Sequence, residues 1–224
     1  MAVRSALATA KAEASRDKIL SAALELFRTR GFDDTTMRDV AAEAGVATGA
    51  AYYYFQSKEE LVMAFYLRTA EEMRDILPPE LAKTRDLKKR IRLVLDLKFD
   101  QFRPYRKFLG ALIRSAIDPA SPLSPFGDET ASIRDEAIEW FRVAVGESGE
   151  AIPKDLAPSL PRLLWLYQMG LILFWTYDRS PKQSRTTTLM EGTLDLIVRG
   201  IRLSRLPLMG PVRRAAVKLI EQVG

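Results

Sequence analysis

The chain has 224 residues, 47% of them hydrophobic and 28% charged, enough apolar matter for one large domain or two small ones. Cysteine and histidine are both absent, which excludes disulfides, thiolate metal sites, the commonest metal ligand and the usual general base, so no metal and no cofactor is expected. The net charge of +5 supports a nucleic-acid partner only weakly, because residues 1–58 carry a net of +1 and residues 199–224 a net of +5.

In chain order, Met1 to Ala14 is alanine-rich but interrupted by Arg4, Lys11 and Glu13. It lacks the apolar run of a signal peptide and reads as a flexible N-terminal arm (1–14) or as a helical extension of the first helix, expected at about 16–30. A short helix follows at 37–44, with Thr36 as its cap, Asp39 as capping-box partner, and Met37, Val40, Ala41 and Ala44 along one apolar face. Gly45 accepts the left-handed conformation that ends a helix and turns the chain, and Val46 plugs the corner. Thr48 is expected to cap a second short helix at 48–54. Gly49 and Ala50 lie in its first turn, where small side chains let a helix end come close to base edges and phosphates. Tyr52, Tyr53 and Tyr54 point about 100° apart and cannot all be core; outward rings and hydroxyls suit sugars, thymine methyls and phosphates. Ser57 and Glu60 form a second capping box that starts a helix at about Lys58. Short helix, glycine turn, short helix and a capped third helix is the layout of a helix-turn-helix that reads the major groove, the motif spanning about 36–57.

Beyond it, helices are expected at 58–76, 86–101, 105–116, 129–146, 159–178, 183–205 and 211–222. Breaks are set by Pro78-Pro79, Pro104, the proline-rich stretch 118–125, residues 146–153, Pro158, Pro161, Pro181 and residues 207–211. No stretch alternates with period two for long, so the fold class is all-α. The longest apolar stretch, Leu163 to Tyr177, is interrupted by Gln168 and is too short to span a membrane, which takes about 20 residues. Helix 159–178 is apolar nearly all round, and helix 183–205 has a broad face of Leu189, Met190, Leu194, Leu196, Ile197, Val198 and Ile201. One small domain cannot easily bury both, which points to an interface between two copies through Leu166, Leu173, Met190, Leu194, Ile197 and Ile201. Asp178 to Pro181 reads as the turn between the two helices.

From about Ser15 to Leu61 the chain resembles the TetR family of bacterial transcription regulators. The likeness rests on Ile19-Leu20, Ala22-Ala23, Leu26-Phe27, Gly31-Phe32, Thr35-Thr36, Val40-Ala41, Ala44-Gly45-Val46, Gly49, Tyr52, Tyr54-Phe55, Ser57-Lys58-Glu59 and Leu61, in one ungapped order. It implies a three-helix DNA-binding head at 15–60 and a helical regulatory and dimerisation body at 61–224. It implies that Arg38, Thr48, Gly49 and Ala50 lie nearest base edges, and that Thr36, Tyr52, Tyr53, Tyr54 and Lys58 hold phosphates. Alanine at 47, 50 and 51 departs from the family and leaves the recognition helix low in hydrogen-bonding groups. The resemblance further implies a homodimer built from the two helices before the last, and an apolar ligand cavity. Phe99, Phe102, Trp140, Trp165 and Phe174 are the candidates to line that cavity, with Asp96, Asp100, Arg114, Glu139 and Gln168 as groups that orient a ligand.

The expected function is therefore a ligand-responsive, cytoplasmic DNA-binding regulator, a repressor released from a near-palindromic operator by a small hydrophobic molecule. An enzyme is disfavoured: there is no glycine-rich phosphate loop, no nucleophile elbow and no carboxylate pair of recognisable spacing. A helical carrier of a hydrophobic ligand or lipid on the same frame is the alternative, and it would need no recognition helix.

Overall fold

The computed structural model describes residues 2–116, 118 and 121–223, and among them every regular element is helical, as an all-α chain requires. The helices are α1 (Ala2–Thr29), α2 (Met37–Glu43), α3 (Thr48–Tyr54), α4 (Lys58–Leu81), α5 (Leu87–Phe102), α6 (Arg106–Ala116), α7 (Ala131–Gly146), α8 (Leu160–Tyr177), α9 (Ser184–Ser204) and α10 (Gly210–Val223). Single 3-10 turns at Arg103–Tyr105, Pro181–Gln183 and Pro207–Met209 mark three of the expected proline breaks. Pro161 makes no break; it sits in the first turn of α8, where a missing N–H costs nothing.

Two compact units are formed. The first comprises Met1–Thr69 with Phe102–Ala131, the second Ala70–Gln101 with Ser132–Gly224. A linear boundary at residue 60 therefore misses α6, which packs in the first unit. Its Phe108 stacks on Phe27 of α1 at 5.0 Å between ring centroids and meets Phe65 of α4 edge-on at 6.1 Å. With Ile19, Ala23, Phe32, Phe55 and Leu112, these rings are the buried centre of the unit. Of the two forms open to the N-terminal segment, arm or helix, the structure adopts the helical one from Ala2 onward.

In the second unit α4 does not stop before Pro78-Pro79 but continues to Leu81. Two prolines remove two N–H donors, and tertiary contacts outweigh that loss. Met73, Leu77 and Leu81 are all buried along one face. Arg90, 2% exposed, then closes the end of the helix, donating from Nη1 to the carbonyls of Leu81 (2.6 Å) and Thr84 (3.0 Å). The same guanidinium donates to Ala144 O (2.8 Å), Val143 O (2.9 Å) and the Glu147 carboxylate (3.0 Å) at the end of α7. Carbonyls at helix C-termini carry partial negative charge and lack intrahelical donors, so one buried cation satisfies two helix ends.

The turn between α8 and α9 is organised by Asp178, which is buried. Its Oδ1 accepts from Ser180 N (2.9 Å) and Ser180 Oγ (2.6 Å), and its Oδ2 from Thr186 N (2.9 Å) and Thr186 Oγ1 (2.7 Å). Lys182 and Gln183, both at φ 53°, take the left-handed backbone that this tight connection imposes. Helix α9 carries two apolar faces. Met190, Leu194, Val198 and Ile201 point into the unit, whereas Leu189, Leu196 and Leu203 are exposed. Met190, Leu194 and Ile201, expected between two copies, are thus core of one copy, and Ile197 is half-buried. Leu166 and Leu173 of α8 remain exposed, together with Phe174 and Tyr177.

Candidate nucleic-acid interface

Helix α2 begins as its sequence dictates. Thr36 Oγ1 accepts from Asp39 N (3.2 Å), and the Asp39 carboxylate accepts from both Thr36 N (2.9 Å) and Thr36 Oγ1 (2.5 Å). The hydrogen bonds of Thr36 hold the Asp39 carboxyl below its ordinary range. The helix ends in a Schellman motif: Val46 N donates to Ala41 O (2.9 Å), Gly45 N to Ala42 O (3.0 Å), and Gly45 sits at φ 61°. That reversal delivers the chain directly into α3.

The cap of α3 differs from expectation. Ala47, in extended backbone at φ −63° and ψ 145°, occupies the cap position, and Thr48 is the first helical residue. No side chain caps this helix end, so its leading N–H groups are left to solvent or to a ligand. Thr48 and Gly49 are exposed and Ala50 is half-buried, while Ala51 and Phe55 (0% and 2% exposed) anchor the opposite face. A Cβ placed on Gly49 would meet nothing within 4 Å, so the fold itself does not require glycine there. The three tyrosines divide as helical geometry demands: Tyr53 is 82% exposed, Tyr52 49% exposed and Tyr54 half-buried. The rings of Tyr53 and Tyr54 meet edge-on at 5.1 Å. Arg38 of α2 is exposed.

Two expected phosphate contacts already have partners in the protein. The Thr36 hydroxyl is committed to Asp39, as above. Lys58 donates from Nζ to Phe32 O (2.7 Å) and Asp33 O (3.4 Å), and lies over the Phe32 ring at 4.5 Å from its centroid. The box that starts α4 is also shifted: Glu60 N donates to Ser57 Oγ (3.3 Å), but the Glu60 carboxylate accepts from Gln56 N (2.8 Å). Two cations of α1 that the motif frame did not single out stand beside the motif. Arg16 covers the Phe55 ring at 4.9 Å, and the Lys18 ammonium would lie 3.6 Å from a Cβ on Gly45. The helical register of α1 was the available signal: Lys18 precedes buried Ile19 by one residue, which turns it to the edge of the packed face.

The aromatic residues expected around a ligand are not brought together. Phe102 belongs to the first unit, 5.9 Å from Phe65. Phe174 is 41% exposed; its neighbour Trp175 is the residue that meets Phe99, edge-on at 5.3 Å. Trp165 is buried and Trp140 half-buried, both in the second unit. Among the polar candidates, Gln168 is buried, Asp96 accepts from Arg92 (2.9 Å), Glu139 pairs with Arg142, and Asp100 is exposed. The Arg114 side chain lies outside the described residues. A charged cluster that the sequence reading overlooked lies on three helices: Lys98 of α5 with Glu72 of α4 and Glu136 of α7. Desolvation lowers the Lys98 ammonium to about 8, against the pull of both carboxylates. Gln101 donates to Glu72 (3.0 Å), and Arg74 grips Glu136 with two bonds of 2.5 and 2.6 Å. Lys98 falls in register with Val94 and Leu95 on the apolar face of α5, which is where a charged residue stands out. Among the described residues no group of three or more potential ligands is placed to hold a metal, and no helix is long and apolar enough to cross a membrane.

Residues 19–65 match the bacterial regulatory proteins of the tetR family, and residues 90–217 match the tetracyclin repressor-like C-terminal domain. The chain is 27% identical over 107 residues to the uncharacterized HTH-type transcriptional regulator YerO of Bacillus subtilis (strain 168), covering 46% of this chain and 37% of that protein. It spans less than half the length of the first curated relatives it matches. The fold is shared with a TetR transcriptional regulator from Nitrosomonas europaea, at a TM-score of 0.63 and 22% identity, over 81% of this chain and 96% of the other. It is shared too with Thermus thermophilus FadR, a TetR family transcriptional repressor crystallised with lauroyl-CoA, at a TM-score of 0.58 and 22% identity, over 86% and 97% of the two chains.

Proposed function

The chain belongs to the TetR family of bacterial transcription regulators, and from that membership we propose that it is a ligand-responsive repressor that binds a near-palindromic operator as a homodimer. The observation that carries the DNA reading is the division of α3. One face is sealed by Ala51 and Phe55, while the other offers an uncapped N-terminus, small residues at its tip and two exposed tyrosines. In this reading Arg38, Thr48, Gly49 and Ala50 approach base edges, and Tyr52, Tyr53 and Tyr54 hold phosphates and sugars. Thr36 and Lys58 act one step back: Thr36 fixes the start of α2, and Lys58 holds the turn between α1 and α2 through the Phe32 carbonyl. Lys18 joins the phosphate contacts from α1.

Dimerisation is supported by two outward stripes, Leu166, Leu173 and Tyr177 on α8 and Leu189, Leu196 and Leu203 on α9. Gly170, Gly192 and Gly200 lie along these stripes, and a Cβ on any of them would meet nothing within 4 Å. Two recognition helices related by a two-fold axis would meet half-sites about 34–36 Å apart, or a multiple of that. The ligand is an apolar or aromatic small molecule taken up in the second unit near Phe99, Trp175 and Trp165, with Lys98 as the counter-charge for any acidic head. Helix α4 has its first turns in one unit and its last in the other, so it is the covalent path for the signal. Coupling of about 1–3 kcal/mol would weaken operator binding about 5–150-fold.

The test is selection of bound sites from random DNA, followed by titration of the selected site at several salt concentrations. Enrichment of a near-palindrome, with affinity falling steeply in salt, is the expected result. Arg38→Ala should relax the preference at one base position, at about 1–3 kcal/mol. Recovery of no preferred sequence would overturn the reading. A hydrophobic library screened for DNA release tests the ligand separately.

A further inference from the structure

Helices α5 and α9 enclose, with the end of α4, a groove of about 770 Å³ lined by six cationic and four acidic side chains. Its walls are tied by ion pairs. Lys88 Nζ lies 2.8 Å from Asp195 and 3.3 Å from Glu191, and Arg92 pairs with Glu191 and, at 2.9 Å, with Asp96. The pairing shows the register: as α5 advances from 88 to 92, α9 recedes from 195 to 191. One turn further along α9 the alternation fails, because the next residue facing the groove is Arg199 rather than an acid. Arg199 and Lys89 are both exposed, and among the described residues neither pairs with a carboxylate. Arg199 is near enough to help hold the Asp195 carboxyl below its ordinary range, after the hydrogen bond from Lys88. Positive charge thus accumulates at this end, where Lys83 and Arg202 also line the wall. Between the charged rows lie Leu93 and Val198, an apolar strip. The volume is within the usual range of small-molecule sites, about 300–1,000 Å³.

We propose that this groove binds a small organic phosphate of the nucleoside-diphosphate class, its phosphates between Lys89 and Arg199 and its flat apolar part over Leu93 and Val198. Several cations from two elements suit a diphosphate, which presents several acceptor oxygens and more than one charge, better than a single carboxylate. The site is independent of the DNA reading and uses none of its residues. Occupancy would also compete for Lys88 with Asp195, loosening α5 from α9.

Calorimetric titration of the full-length protein with ADP, sodium pyrophosphate, adenosine and citrate tests this. ADP should saturate below about 1 mM, pyrophosphate should bind more weakly, and adenosine should give no heat. Replacing Lys89 and Arg199 together by alanine should weaken ADP at least about tenfold, while Arg214→Ala, a remote exposed cation on α10, should leave it unchanged. Both substituted side chains are exposed, so the variant keeps its fold, which a matched unfolding curve verifies. No ADP heat at roughly 5 mM would overturn the proposal. So would equal weakening by Arg214→Ala, which is the mark of diffuse charge, or citrate binding as tightly as ADP.

Discussion

Lys58 separates two physical roles that the family frame alone does not. A lysine that holds a phosphate contributes little to the free protein and one unit of charge to the complex. The structure instead places the Lys58 ammonium on Phe32 O at 2.7 Å, with a longer approach to Asp33 O at 3.4 Å and the Phe32 ring at 4.5 Å. A charge-assisted hydrogen bond contributes about 1.5–3 kcal/mol when buried. Lys58 is half-buried, so the lower end applies; the 3.4 Å contact adds little, and the cation–π contact adds about 0.5 kcal/mol. Lys58→Met keeps the stem and removes the charge, and should cost the first unit about 2 kcal/mol. For a chain of this size that lowers the unfolding temperature by about 4–8 °C. Phe32 is 7% exposed and its turn leads into α2, so operator affinity should fall uniformly across sequences. The slope of log affinity against log salt should nevertheless stay unchanged, whereas loss of a true phosphate contact reduces it by about 0.9. Thermal unfolding and DNA titration at several salt concentrations measure both quantities. An unaltered unfolding temperature with a slope reduced by about one would refute the reasoning and make Lys58 a direct phosphate ligand.

Three further outcomes are expected. Leu196→Glu should give a folded monomer by light scattering that has lost tight operator binding, while Leu194→Glu, at a side chain 0% exposed, should fail to fold; a folded dimer from Leu196→Glu would move the interface elsewhere. Arg90→Met removes the donor to four carbonyls at two helix ends and should cost about 3–5 kcal/mol in urea unfolding, and a loss below about 1 kcal/mol would show that water replaces the guanidinium freely. Burial raises the Asp178 carboxyl, but the hydrogen bonds from Ser180 and Thr186 outweigh it and hold it far below the usual carboxylate range. A depressed folded value means stability that is present above the unfolded value of about 3.9 and lost as pH falls through the folded one. Asp178→Asn should therefore be less stable than the parent at pH 7, with the gap closing below about pH 4; a gap independent of pH would assign the effect to packing alone.

The head was legible because its determinants are local. A capping box, a left-handed glycine and a helix start each lie within four residues, and Thr36, Asp39 and Gly45 behave as their types require. The cap of α3 slipped by one residue because side-chain preference favours Thr48, whereas the extended backbone at Ala47 decides where the helix begins. The continuation of α4 through Pro78-Pro79 was not local at all. It depends on Arg90, nine residues past Leu81, and on burial of Leu77. In α8 nearly every residue is apolar, so periodicity cannot choose between Phe174 and Trp175, and only packing turns one outward and the other against Phe99. In α9 two apolar faces merged into one broad pattern, which assigned core leucines to the interface. The Lys98 cluster joins residues from three helices and has no contiguous signature.

The exposed leucines of α9 are spaced seven residues apart, at 189, 196 and 203. Seven residues fall short of two full turns, so the row drifts about 20° around a straight helix with each repeat. A partner helix that stays in contact with all three must follow that drift, and so lies across α9 at a shallow, left-handed crossing of about 20°. On α8, Leu166, Leu173 and Gly170 lead to Tyr177 with the same handedness. The pitch of a leucine row, set by arithmetic on residue number, thereby prescribes the angle at which two copies meet.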